Sequence, residues 1–188
     1  NIFSLLSRSA RQLDFSTSLS MEANLNSSAG GFWKSTGDIR IPEFVIRKGP
    51  SYMRAEKPMH LKFNDGQITS KDFEITSGDS YLRFEARNST RNNLDSSLNG
   101  KMDLSLLGLF TPFISDLRGN LSVSMNLKGS VEQPNMSGSA YVDKAYVKLR
   151  DFPHPFSAVR ADLLFNQSQI LINALRADFA GGKASGEG

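Results

Sequence analysis

The dominant pattern in this chain is a strict alternation of apolar and polar residues. Between residues 13 and 26, the odd positions carry mostly apolar side chains, among them Leu13, Leu19 and Leu25, and the even positions carry polar ones. Side chains of a β-strand point alternately to its two faces, so this run predicts a strand with one apolar and one wet face. The alternation returns at 117–128 and, in shorter form, at 39–41, 59–63, 73–75, 82–86, 102–104, 140–142, 159–165, 170–172 and 175–179. The sequence therefore predicts an all-β protein.

Residues typical of tight turns separate many of these runs. They are Asn64-Asp65-Gly66, Ser77-Gly78-Asp79, Asn99-Gly100 and Gly181-Gly182. Strands joined by tight turns predict an antiparallel meander. One stretch, 104–114, instead places Leu106, Leu107, Phe110 and Ile114 at helical spacing, which predicts a short helix or turn that plugs one end of the sheet.

The chain also contains an internal repeat at an offset of 102 residues. Matching pairs include Leu19/Leu121, Leu25/Leu127, Leu61/Leu163, Phe63/Phe165, Asn64/Asn166, Gln67/Gln169 and Ile68/Ile170. Repeated supersecondary units stack into elongated arrays. We therefore expect residues 1–188 to form a single β segment, built from two structural repeats at about 13–105 and 115–188.

Three architectures are compatible with this pattern. A β-sandwich would bury two apolar faces against each other, and an outer-membrane barrel would turn its apolar face outward. An open trough would use that face to line a groove. One Trp and four Tyr give a barrel poor aromatic girdles. The single apolar face and the repeat favour the trough over a compact sandwich, but periodicity alone leaves the choice open.

Composition removes most kinds of chemistry. The 188 residues include no Cys and only two His, neither of which lies near further metal-binding residues, and no catalytic motif is present. We therefore predict no enzyme, no cofactor and no metal. The net charge is +3, and the basic segment 40–62 is interpreted as solvated surface charge, so we predict no nucleic-acid partner.

No apolar stretch approaches the ~20 residues that a membrane-spanning helix needs. The chain starts at Asn1-Ile2-Phe3 without an initiator Met. We therefore expect a segment of a longer protein, with any membrane anchor outside it.

Residues 94–188 carry a recurring order of glycines, strands and a proline. It reads Leu117-Arg118-Gly119-Asn120-Leu121, then Leu127-Lys128-Gly129-Ser130, Pro134-Asn135-Met136-Ser137-Gly138, an alternating strand over 140–147, and a closing strand with Gly-Gly turn over 175–183. This order resembles the TamB/AsmA-like group of large bacterial envelope proteins, and the TamB branch most of all. The first half departs from it, because the basic segment 47–57 is broken by Pro50 and Pro58.

The resemblance implies a β-taco: an elongated antiparallel sheet curled into an open hydrophobic trough. It also implies a periplasmic location, with the parent protein anchored in the inner membrane, and an outer-membrane partner of the Omp85 type (TamA-like). The implied activity, within the translocation and assembly module, is phospholipid transport between the inner and outer membranes or help in assembling outer-membrane proteins such as autotransporters.

Our leading hypothesis is that the groove conducts phospholipids through contacts with their acyl chains. The alternative is a scaffold that pairs an exposed sheet edge with strands of outer-membrane protein clients. A third possibility is a plain sandwich that acts as an adhesin or carbohydrate binder. The residues predicted to line the groove are Leu13, Phe15, Leu19, Met21, Leu25, Leu61, Phe63, Leu121, Val123, Met125, Leu127, Leu163, Phe165, Ile170 and Ile172.

Overall fold

The computed structural model describes residues 15–27, 34–48, 51–109 and 113–188, and it confirms the all-β prediction. Thirteen strands lie within these ranges. They are β1 (Phe15–Ser27), β2 (Ser35–Lys48), β3 (Ser51–Ala55), β4 (Met59–Asn64), β5 (Gln67–Lys71), β6 (Glu74–Ser77), β7 (Ser80–Ala86), β8 (Leu94–Asp103), β9 (Ile114–Gly129), β10 (Pro134–Leu149), β11 (Phe156–Gln167), β12 (Gln169–Phe179) and β13 (Gly182–Gly186).

All thirteen strands belong to one antiparallel sheet, in which neighbours follow the chain order from β13 back to β6 and then continue as β3, β2, β4 and β5, with β1 also paired to β2. β3 and β4 pair with the two halves of β2, and β6 and β5 pair with β3 and β4 in turn. The couple β3 and β4 therefore acts as one long strand with a break in the middle, and so does the couple β6 and β5. Among the described residues, β1 pairs only with β2 and β13 only with β12, so the sheet is open and not a barrel.

Irregularities in pairing recur in the two halves of the sheet. In β2, two residues, Ile41 and Pro42, lie opposite one residue of β1. In β10, Lys144 and Ala145 lie opposite Gly119 in the same way, about 102 residues later. The break between β3 and β4 likewise has its counterpart in a bulge of β11 between Ser157 and Arg160. Bulges bend and twist strands, so both halves change direction at corresponding places. The division into two repeats stays a prediction that this recurrence supports.

The predicted short helix forms as a 3-10 helix over Leu104–Leu109, and 110–112 lie outside the described residues. Leu106 is 4% exposed and packs with Met53 of β3 and Met102 of β8. Side chains from β2, β6, β7 and β9 pack against the same cluster. Side chains from six strands can pack into one cluster with this helix only if the sheet is concave there, so the helix lies within a curled sheet.

The predicted turn at Asn99-Gly100 is wrong, because both residues lie inside β8. Gly100 faces Leu82 of β7 and Val123 of β9 in the register. A Cβ there would lie 2.7 Å from Leu82 Cδ2 and closer still to the Tyr81 carbonyl oxygen. This glycine is therefore explained by the close approach of β7, not by a turn.

Candidate functional site

One apolar face runs across the sheet from β1 to β12. In an antiparallel pair, directly opposed residues point to the same side, and so do residues two apart on a regular strand. The register therefore places a connected series of residues on one side of the sheet, here called the inner face. Its members, each opposite or next to the following one, are Leu19, Phe44, Ile46, Met53, Ala55, Ile75, Leu82, Gly100, Val123, Ala140, Leu163 and Ile172. Counted at about 4.8 Å per strand, the series extends roughly 45 Å along the sheet.

The structure brings thirteen of the fifteen predicted groove residues to this face. In β1, β4 and β9 they are Leu19, Met21, Leu25, Leu61, Phe63, Leu121, Val123, Met125 and Leu127, and in β11 and β12 they are Leu163, Phe165, Ile170 and Ile172. Phe15 begins β1. Leu13 lies outside the described residues.

The sequence prediction missed inner-face residues that follow a bulge. Ile39 and Ile41 face inward at odd positions of β2, but after the bulge at Pro42 the inward positions are Phe44 and Ile46. One extra residue in the strand moves the inward-facing side chains from odd to even positions. A count based on strict alternation therefore assigns the residues after the bulge to the wrong face. The sequence does contain a signal for this bulge: Pro42 lies between an apolar run at odd positions and an apolar run at even positions.

The basic segment does not interrupt the inner face. Met53 of β3 and Met59 of β4 are 5% and 2% exposed, and they flank the break that contains Pro58. The apolar surface therefore continues through the region where the family pattern is lost.

The inner face carries no charged residue between its rims, counted over the strand positions whose side chains the structure describes. Two polar side chains on this face, those of Ser96 and Ser70, bond within the protein. Ser96 Oγ lies 2.9 Å from Ser89 Oγ, and Ser70 Oγ accepts a 2.7 Å hydrogen bond from the Ala86 backbone amide. The inner face therefore offers a ligand a large apolar contact area but few hydrogen-bonding groups.

The inner face is covered in its middle and open toward both ends. Around the 3-10 helix, Met53, Met102 and Leu106 are at most 5% exposed. Met21 in β1 and Ile170 in β12 are each 58% exposed. Exposed apolar side chains that adjoin one another, such as Leu19, Met21 and Leu25 on the inner side of β1, mark a surface that binds a ligand or partner.

At one rim the inner face ends in an aromatic cluster. Phe156 and Phe179 stack with ring centroids 4.7 Å apart, and Phe152 lies 5.7 Å from Phe179. Lys148 Nζ donates to the carbonyl oxygens of Phe152 and Pro153, at 2.6 and 2.8 Å, and so fixes the loop that presents Phe152. Phe152 itself is 41% exposed and prolongs the apolar surface beyond the strands.

Charged residues instead follow the outer face, where they pair with one another. The Arg118 guanidinium hydrogen-bonds the carboxylate of Asp116 and holds the pKa of Asp116 below its ordinary value. The pKa of Glu56 is also lowered, first by a hydrogen bond from the Thr76 hydroxyl and then by one from Arg54. Being exposed, these pairs contribute little to stability and chiefly keep the outer face wet.

The fold and this face define a class: an open, curled antiparallel sheet with an uncharged apolar inner face. No protein-family model, curated protein or solved structure was found to match the chain. Within the described ranges, no helix has the length and apolarity to span a membrane. The same residues contain no group of three or more side chains placed to hold a metal ion.

Proposed function

We propose that the inner face binds the acyl chains of phospholipids and conducts them along the sheet. The observation that carries this proposal is an apolar surface that is continuous from β1 to β12 and open at both ends. Between its rims, none of the side chains that the structure describes on this surface is charged. An acyl chain has no hydrogen-bonding group, so a surface without directional partners suits it. The same property lets a bound chain slide from strand to strand.

Burial energies favour a lipid with two chains over a free fatty acid. Each buried CH₂ contributes about 0.8 kcal/mol, so half-shielding a chain of about sixteen carbons yields roughly 6 kcal/mol. Association costs at least about 4 kcal/mol in lost translational and rotational freedom. A single chain would then be held weakly, whereas two chains, at about 13 kcal/mol, would keep a phospholipid bound.

The family resemblance supplies the setting for this proposal. It implies a periplasmic location, between an inner-membrane anchor and an outer-membrane partner of the TamA type. In that setting, an apolar path between the two membranes would carry phospholipid from one to the other. No catalytic step is part of the proposal.

A second candidate function, the scaffold for outer-membrane protein strands, is favoured by β1. This strand has thirteen residues, no proline and a single charged residue, Glu22, and within the described ranges only one of its edges is paired. Long unprotected edges are templates for a further strand. A scaffold of this kind would depend on the β1 edge and would tolerate a charge on the inner face.

Photocrosslinking at two neighbouring leucines tests the lipid proposal. Leu163 faces inward opposite Ala140, and Leu164, which is 40% exposed, faces outward opposite Ser139. With para-benzoylphenylalanine at position 163, we expect crosslinked phospholipid by mass spectrometry after expression in bacteria. At position 164 we expect none above background, although that side chain is the more exposed. Equal crosslinking at both positions would mean that lipid adsorbs without regard to the face.

A further inference from the structure

The four tyrosines of the chain all lie on the outer face, and they form two different kinds of site. Tyr52 and Tyr146 are covered by arginines, whose guanidinium carbons lie 5.8 and 4.9 Å from the ring centroids. Tyr81 and Tyr141 are 36% and 46% exposed, and in the described part of the chain no cation lies over either ring. Two bare aromatic rings on a wet sheet face are therefore available to a ligand.

These two rings stand at the ends of one row of side chains. The register aligns Tyr81 of β7, Lys101 of β8, Ser122 of β9 and Tyr141 of β10 across four adjacent strands. Three strand spacings separate the tyrosine backbones by about 14 Å. The space between them is a shallow groove of about 290 Å³, here called the Tyr81–Tyr141 groove.

The floor of the groove carries hydroxyl and amide groups. Ser124 Oγ donates to Asn99 Oδ1 at 2.8 Å, which leaves the Asn99 amide nitrogen to donate to a ligand. The hydroxyls of Ser122 and Ser139 can both donate and accept, and neither has a protein partner among the described residues. Among the residues that the structure describes, Lys101 is the only charged one that lines the groove.

This combination of groups selects among ligand classes. A protein partner would need a deep apolar anchor pocket, and this groove is shallow, with only Val123 and Gly100 beside the serines and asparagine of its floor. A nucleic acid would need several cations to replace counterions along its phosphates, and the groove offers one. A sugar chain presents hydroxyls that donate and accept, and C–H faces that stack on aromatic rings, so it matches both the floor and the two ends.

We propose that the Tyr81–Tyr141 groove binds a linear oligosaccharide of low charge, with one sugar ring on each tyrosine and the intervening hydroxyls on Asn99, Ser122 and Ser139. This site lies on the face opposite the apolar one. It would let the protein hold a glycan on its outside while the inner face remains free for acyl chains. It does not rest on the lipid proposal, since none of the residues proposed to contact the glycan is among those proposed to contact acyl chains.

Isothermal titration of the 188-residue chain with chitotetraose, cellotetraose and maltotetraose tests the proposal. We expect saturable binding to at least one of these probes, weakened about fivefold by Tyr81→Ala or Tyr141→Ala and lost in the double variant. Tyr141→Phe should retain most of the affinity, because it keeps the ring. Tyr52→Ala, at a tyrosine that is already covered by Arg54, should leave it unchanged.

Ser139→Arg supplies a variant in which both tyrosines remain. Ser139 is exposed on the groove floor, so an arginine there should fill the groove without disturbing the sheet, and binding should fall as far as in the double tyrosine variant. Circular dichroism confirms the fold of each variant. The proposal is overturned if none of the three probes binds saturably, or if binding survives loss of both tyrosines. A third outcome would also overturn the proposal: the chain binds no glycan but self-associates, and Tyr141→Ala abolishes the self-association. The groove would then be a contact site for a second copy of the chain.

Discussion

Replacing Met125 by arginine is expected to remove bound phospholipid from the protein. Met125 is half-buried on the inner face, opposite Leu98 of β8 and Gly138 of β10. An arginine would place a charge where acyl chains are proposed to lie, and an unpaired charge in contact with hydrocarbon costs several kcal/mol. We expect at least a tenfold loss of co-purifying phospholipid, measured per chain by mass spectrometry after purification without detergent.

The matched control for this substitution is Asn126→Arg, one residue further along β9. Asn126 is exposed on the outer face, so the same charge there should leave lipid content and fold unchanged. Met125→Arg also separates the two candidate functions, since a scaffold that works through the β1 edge would not be affected by it. Lipid content equal to that of the unaltered protein in both variants would refute the acyl-chain proposal.

Replacing Gly138 by alanine is expected to cause a large loss of stability. Gly138 lies within β10 with a φ of +137°, a conformation that L-residues rarely adopt. A Cβ there would also lie 2.9 Å from the Met125 Cα and closer still to the Ser124 carbonyl oxygen. Strain and overpacking together predict a decrease of about 2–4 kcal/mol in the free energy of unfolding, measured by urea denaturation.

Gly186→Ala in β13 serves as the comparison for that measurement. Gly186 has no left-handed φ, and a Cβ would meet nothing within 4 Å. Its free energy of unfolding should therefore change by less than about 0.5 kcal/mol. If Gly138→Ala were as mild as Gly186→Ala, the tight packing of β9 against β10 at this point would be wrong.

The parts of the fold that could be predicted are those governed by local rules. In β1 and β9 the period-two alternation holds for most of the strand, so the facing of Leu19 and Leu121 could be deduced from sequence alone. The turn at Asp65-Gly66 has positive φ at both residues, 46° and 83°, as the Asn-Asp-Gly sequence suggests. The predicted helix within 104–114 likewise forms, over Leu104–Leu109.

Features that depend on contacts between distant strands could not be predicted in this way. The role of Gly100 comes from the approach of β7, which no local pattern shows, and the local pattern therefore wrongly predicts a turn there. Phe44 and Ile46 were missed because a bulge shifts their parity. The pairing of Tyr81 with Tyr141 across β8 and β9 joins residues sixty positions apart, and only the register of three strand pairs brings them into one row.

The most direct test of the central claim is the lipid content of the unaltered chain. The protein would be purified from bacteria without detergent, extracted with organic solvent and analysed by quantitative mass spectrometry. An inner face that binds acyl chains predicts phospholipid at about one molecule per chain or more, with two-chain lipids favoured over free fatty acids. A stably folded protein that carries no lipid would contradict the claim and would direct attention to strand pairing at β1.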